Sequence, residues 1–176
     1  PTAEELLKQI KEERQNHYNQ QIEDWKKAVK DWEKNGKKEK KPSKPTEYKT
    51  FNSPVSSLDL NIPDSWTITC IGNLCSKTEY GSSEKSLDDG DVPVIRMGNM
   101  QNGLIDWSDL KYSSNADEIK QYLLRKGDVL FNRTNSPELV GKTVIYKGER
   151  PAIFAGYLIR LNQIGSIVLG TYLNYF

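Results

Sequence analysis

From Ala3 to Trp32 the chain contains neither glycine nor proline, and this run limits the fold more than any other feature. Thr2 and Glu5 form a T-x-x-E capping box that starts a helix at Ala3, and Asn35-Gly36 supplies the stop. At 1.5 Å per residue the helix is on the order of 45 to 50 Å long, more than one small domain can bury, so it must project. Its apolar positions are Leu6, Leu7 and Ile10, then Tyr18, Ile22, Trp25, Val29 and Trp32; the second group steps by 4, 3, 4 and 3, as a coiled-coil seam does. Glu13, Arg14 and His17 break the stripe into two patches. We read Tyr18, Ile22, Trp25, Val29 and Trp32 as a helix-pairing surface, the alternative being an amphipathic helix folded back on its own domain.

Charge divides the chain into three parts. Residues 1–35 form the spacer or pairing helix, with 7 basic and 8 acidic side chains. Residues 36–50 form a basic linker, with 6 and 2, whose two prolines and missing apolar period predict an exposed, mobile connector. Residues 51–176 carry 12 and 14 and form the globular part. Its net charge of −2 gives no bulk signal for nucleic acid, so only clustering on one face could provide one.

Within the globular part, Ile68, Cys70 and Ile71 near Trp66 are expected as first core contacts, and residues 81–91 as a flexible acidic loop. Pro93–Met100 reads as a strand, with Gln101-Asn102-Gly103 turning into Leu104–Trp107. Ser114 and Asp117 suggest a second capping box. The centre of the chain is the stretch Gly127–Leu161. There the run Val129, Leu130, Phe131 breaks into the polar residues Asn132 to Ser136 and is followed by β-rich runs at Val144–Tyr146 and Ile153–Leu161. Strands rich in β-branched and aromatic residues can hold such a loop as a fixed platform, displaying Asn132, Arg133, Thr134, Asn135 and Ser136. Strands outnumber helices without a βαβ rhythm. The expected class is α+β: a long projecting N-terminal helix of coiled-coil type, followed by a mixed, largely antiparallel β-rich domain.

These strings, with DVPVIRMGNMQNGLIDWSD upstream, FAGYLIRL downstream, the opening Ile62-Pro63-Asp64-Ser65-Trp66 and the helix start AEELLKQIKEER, resemble a target recognition domain from the DNA-specificity subunit of type I restriction-modification enzymes. The resemblance covers most of the chain. It implies one spacer helix and most of one recognition domain, truncated at its C-terminal end, reading one half of a bipartite site in double-stranded DNA. Implied partners are methyltransferase (modification) subunits, a restriction/translocase subunit and a second long helix, from the other half of the subunit or a second copy. S-adenosylmethionine, ATP and Mg are then expected on those partner subunits only, with no cofactor in this chain.

The residue types agree with that role. Arginine can pair bidentately with guanine and asparagine with adenine, while hydroxyls suit phosphates. Asn132, Arg133, Thr134, Asn135 and Ser136 are therefore the leading candidates, and Arg96, Asn99, Gln101, Asn102 and Lys142 the second group. No catalytic residue is assigned, since dinucleotide and phosphate loops, HExxH and the nucleophile elbow are all missing. Cys70 and Cys75 match no metal or redox spacing and are read as reduced core thiols in a cytoplasmic protein. No apolar run approaches the roughly 20 residues of a membrane span. Two rivals stay open: an enzyme of unfamiliar type, and a protein-interaction module working through the long helix without base readout.

Overall fold

A computed structural model describes residues 1–52, 61–134, 137–164 and 167–175, in two compact units, Pro1–Ser76 and Lys77–Phe176. The first is organised on α1 (Ala3–Lys34). Its capping box forms as expected: Thr2 Oγ1 accepts the Glu5 amide at 3.2 Å and Glu5 Oε2 accepts the Thr2 amide at 2.8 Å, which satisfies two donors at the helix start. Asn35 caps the far end, and Gly36 leaves it at φ 73°, in the left-handed region that glycine adopts without a steric cost.

The lysine-rich stretch is largely exposed, as its composition suggests. It returns along α1 as an extended strap, anchored through its carbonyls. Trp32 Nε1 donates to Glu39 O at 2.6 Å, Trp25 Nε1 to Pro42 O at 3.0 Å, and Arg14 Nη2 to Lys49 O at 2.8 Å. From Trp32 to Arg14 the helix covers about 27 Å, and from Glu39 to Lys49 an extended chain covers about 31 Å. The two therefore run side by side in register. A half-buried indole N–H needs an acceptor, and a proline-containing strand with few internal hydrogen bonds has carbonyls to spare.

Arg14, which interrupts the apolar stripe in the sequence, is buried. Besides Lys49 it reaches Asn73 O at 3.3 Å in α2 (Ile71–Leu74), and its guanidinium lies 5.1 Å over the Tyr48 ring. Tyr48 in turn meets His17 Nδ1 at 2.6 Å. The expected first core contacts are corrected: Trp66, Ile68 and Ile71 are exposed and Cys70 half-buried. Cys75 is the buried thiol, and burial pushes its pKa up to about 11, which leaves it inert at neutral pH.

The second unit is β-rich. In chain order it contains β1 (Cys75–Tyr80, which starts at the junction), β2 (Val92–Ile95), β3 (Met100–Gln101), β4 (Leu104–Ile105), β5 (Lys111–Ser113), α3 (Ala116–Tyr122), β6 (Val129–Asn132), β7 (Thr143–Ile145), β8 (Ile153–Phe154), β9 (Leu158–Gln163) and α4 (Gly170–Leu173). Among the described residues these make a four-stranded sheet, β1-β9-β6-β7, a three-stranded sheet, β5-β2-β8, and the hairpin β3-β4. β6 is antiparallel to both β7 and β9, and β2 is antiparallel to β5; β2 and β8 run parallel. The class is α+β, as expected. The core gathers Ile95, Met100, Leu130, Val144, Phe154 and Leu158, all fully or nearly fully buried.

Several boundaries differ from the sequence reading, each for a local reason. The strand expected to reach Met100 stops at Ile95, because Asn99 Oδ1 captures the Arg96 amide at 2.9 Å and a 3-10 turn forms over Met97–Asn99. The run Ile153–Leu161 splits into β8 and β9, which belong to different sheets. Asn115 rather than Ser114 caps α3, accepting from the Asp117 and Glu118 amides. The Asn102-Gly103 turn is as expected, with φ of 52° and 74°, the pair of positive values that a two-residue hairpin turn requires.

Candidate nucleic-acid interface

The segment after β1 is not a loose acidic loop. Gly81 passes so close to β8 that a Cβ there would lie 2.1 Å from Phe154 O, so only glycine fits. Ser82 then donates its amide to Phe154 O at 2.9 Å and forms a parallel bridge with Ala155. Further along, Leu87 bridges to Tyr112. Held at both points, residues 82–86 form one wall of a groove of about 510 Å³; Val94, Arg96, Lys111, Arg133 and Ala155–Tyr157 complete it.

Four cations, Lys85, Arg96, Lys111 and Arg133, line this groove against one carboxylate, Glu84. Glu84 is engaged by Asn115 Nδ2 at 2.8 Å. Two of the cations are neutralised: Arg96 Nη2 pairs with Asp109 Oδ2 at 3.0 Å, and Lys111 pairs with Asp88. Among the described residues Arg133 and Lys85 have no carboxylate partner. Arg133 is exposed, and its guanidinium lies 4.8 Å over the ring of Tyr80. Stacking holds the guanidinium plane while leaving its edge N–H groups to donate. The unit as a whole is close to neutral, so this local concentration is the clustering that net charge conceals.

The other sequence candidates are dispersed. Asn132 is fully buried, which corrects its expected display. Its Nδ2 donates to Leu139 O at 2.9 Å and Thr134 O at 3.2 Å, and its Oδ1 accepts the Thr134 amide at 3.3 Å. It shapes the loop from within, as an asparagine at a strand end readily does. Asn99 is corrected for the same reason: it is buried, and Nδ2 binds Asp106 O and Asp109 O at 3.1 and 2.8 Å. Thr134 is half-buried, and Asn135 and Ser136 lie outside the described residues. Gln101 Nε2 turns back to Gly98 O at 3.0 Å. Asn102 and Lys142 line a separate cleft of about 430 Å³ with Val140 and Tyr175.

The structure thus brings together Arg133 and Arg96, and adds Lys85, Lys111, Tyr80 and Tyr157, which the sequence reading did not select. Lys85 lay hidden among the acidic residues of its loop. No local pattern in the sequence links Tyr80 to Arg133. Replacing Asn132 with Ala should strip these bonds from the Thr134 amide and carbonyl, leave Leu139 O with only the Lys142 amide, and destabilise the unit by about 1 to 3 kcal/mol. Denaturant titration should show the loss, and hydrogen exchange should accelerate at the Thr134 amide; unchanged exchange there would refute the supporting role.

The type I restriction modification DNA specificity domain matches residues 63–176. The chain belongs to this family. It is also 28% identical, over 122 residues, to a Methanocaldococcus jannaschii protein assigned by name as the specificity subunit of the type I restriction enzyme MjaX. That alignment covers 66% of this chain and 28% of the relative. The match takes in the whole of the groove-bearing unit, so Arg133, Arg96, Lys85 and Lys111 belong to the specificity domain itself. Among the described residues no cluster of His, Cys, Asp and Glu could hold a metal ion, and no helix is long and apolar enough to cross a membrane.

Proposed function

We propose that this specificity domain reads one half of a bipartite site in double-stranded DNA on behalf of a cytoplasmic type I restriction-modification complex, without catalysing a reaction itself. The observation that carries the reading is the exposed Arg133 guanidinium, which has no carboxylate partner among the described residues and stacks on Tyr80 in a cationic groove of a unit close to neutral overall. A fixed guanidinium fork suits the two acceptors of a guanine edge, and Lys85 beside it suits a phosphate. Arg96 is held by Asp109, yet its Nε is buried without a partner among the described residues, a donor that an incoming acceptor would satisfy. Thr134, and Asn135 and Ser136 next to it in sequence, remain contact candidates, as do Gln101, Asn102 and Lys142 in the hairpin and neighbouring cleft.

In this proposal methyltransferase subunits carry S-adenosylmethionine, and a restriction/translocase subunit uses ATP and Mg. The half-buried stripe Tyr18, Ile22, Trp25, Val29 and Trp32, flanked by the strap, receives a second long helix that sets the spacing of the two halves. The same stripe supports the alternative of a helix-mediated interaction module without base readout. Selection of duplexes from a random pool by the assembled complex separates the two. A recovered half-site whose information at one base pair disappears with Arg133→Ala supports base reading; recovery unaffected by groove substitutions favours the module.

A further inference from the structure

The groove leaves a second concentration of charge unexplained. Residues 23–44 carry nine lysines and five carboxylates. Ordinary structural roles occupy some of the lysines. Lys26 and Lys27 pair with Glu23 and Asp24 at 2.7 and 3.7 Å, and Lys37 and Lys41 lie over the Trp32 ring at 5.6 and 5.8 Å. The dipole at the end of α1 is equivalent to only about half a charge, and Lys34 in the last turn answers it. Lys30, Lys38, Lys40 and Lys44 remain: exposed, with no hydrogen bond or ion pair among the described residues.

The strap is what assembles them. Because the Glu39 and Pro42 carbonyls are anchored on Trp32 and Trp25, Lys38, Lys40 and Lys44 are held beside the turns of α1 that carry Lys30 and Lys34. Those turns, from Trp25 to Lys34, span on the order of 14 Å, comparable to the roughly 8 to 10 Å over which salt screens charge. The lysines therefore repel one another, and the five carboxylates of residues 23–44 offset the nine lysines only in part. A polyanion would offset the remainder. Duplex DNA presents one negative charge per about 1.7 Å of its axis, and a lysine, as a flexible point charge, can meet phosphates without any base geometry.

We propose that this helix-strap tip is a second, sequence-independent contact for duplex DNA, holding the phosphate backbone while the groove reads bases. The proposal rests on the reading that the chain binds DNA.

The test is anisotropy titration of the full chain against labelled duplexes of several sequences, between about 50 and 200 mM salt. The triple variant Lys38→Ala, Lys40→Ala, Lys44→Ala should flatten the log–log salt slope by about 2 to 3, each lost phosphate contact contributing roughly 0.9. Affinity should fall by the same factor for every sequence. The corresponding Lys→Arg triple should match the native chain, and both should melt as it does, since these side chains are exposed. An unchanged slope overturns the proposal, as does a loss confined to one sequence or equal binding of polyglutamate. Base reading is tested separately by Arg133→Ala in the assembled complex: an unchanged salt slope in the lysine triple with discrimination lost in Arg133→Ala sinks the tip alone, and a flattened slope with discrimination kept in Arg133→Ala sinks the groove alone.

Discussion

Arg133→Ala in the assembled enzyme is expected to weaken binding to the correct half-site by about 1 to 3 kcal/mol, roughly 5- to 150-fold. It should also narrow the gap between correct and substituted sequences. The reasoning turns on which groove cations are available. Arg96 and Lys111 already have carboxylates, so an incoming base must compete with Asp109 or Asp88. Among the described residues Arg133 has no carboxylate partner, and the Tyr80 ring orients it without consuming its donors. Arg133→Lys should not restore discrimination, because an ammonium cannot reproduce a planar bidentate fork. Tyr80→Phe should retain it. Competition titrations at several salt concentrations separate this effect from a phosphate contact: loss of a base contact changes the discrimination ratio, while loss of a phosphate contact changes the salt slope equally for all sequences. A preserved ratio in Arg133→Ala would remove this loop as the reading head and favour the Arg96–Asn102 segment.

The second large effect concerns stability. Arg160, on β9, is buried and ties three segments together: Nε donates to Glu79 Oε2 at 3.0 Å, and Nη1 donates to Leu123 O at 2.9 Å and to Asp128 Oδ2 at 3.1 Å; Nη2 also binds Glu79. Arg160→Ala should cost about 3 to 5 kcal/mol, most of it because two mostly buried carboxylates lose their counter-charge. Denaturant midpoints at constant m-value would measure it. Adding Glu79→Gln should recover part of the loss, since removing both charges is less harmful than stranding one.

The same network sets an acid limit. Burial pushes Glu79 upward, but the Arg160 hydrogen bonds and charge outweigh it, followed by Lys77, and the carboxyl titrates below its usual value. A folded pKa below the unfolded one means that the stabilisation is complete above the unfolded carboxylate range and declines as pH falls through the depressed folded value. The native chain should therefore lose stability on acidification more steeply than the Arg160→Ala, Glu79→Gln double variant. Parallel acid limbs for the two would show that the pair contributes nothing.

Local signals were legible wherever one segment decides its own structure. The capping box, the length of α1 and the Asn102-Gly103 turn all depend on residues within a turn of one another, and each forms as the sequence reading expected. Misreadings occurred where a side chain captures a backbone group, whether nearby, as Asn99 and Asn115 do, or far along the chain. Asn132 looks like a displayed polar residue, but the carbonyls of Thr134 and Leu139 draw it inside. Arg14 looks like a break in an apolar stripe, but the carbonyls of Lys49 and Asn73 turn it into a buried staple. In the lysine-rich stretch two carbonyls accept from the indole N–H groups of Trp25 and Trp32, contacts that composition does not announce.

By itself the amino-acid sequence determined the long helix, the β-rich class and, through the order of its motifs, the family. Helix propensity, capping and strand alternation act over a few residues, and motif order survives without knowledge of any contact. Only the tertiary structure decided which cations form the groove. Lys85, Arg96, Lys111 and Arg133 come from four separate stretches of chain, and Asp88 and Asp109 neutralise two of them through contacts absent from any local pattern. Whether a charge is available depends on what lies beside it in space.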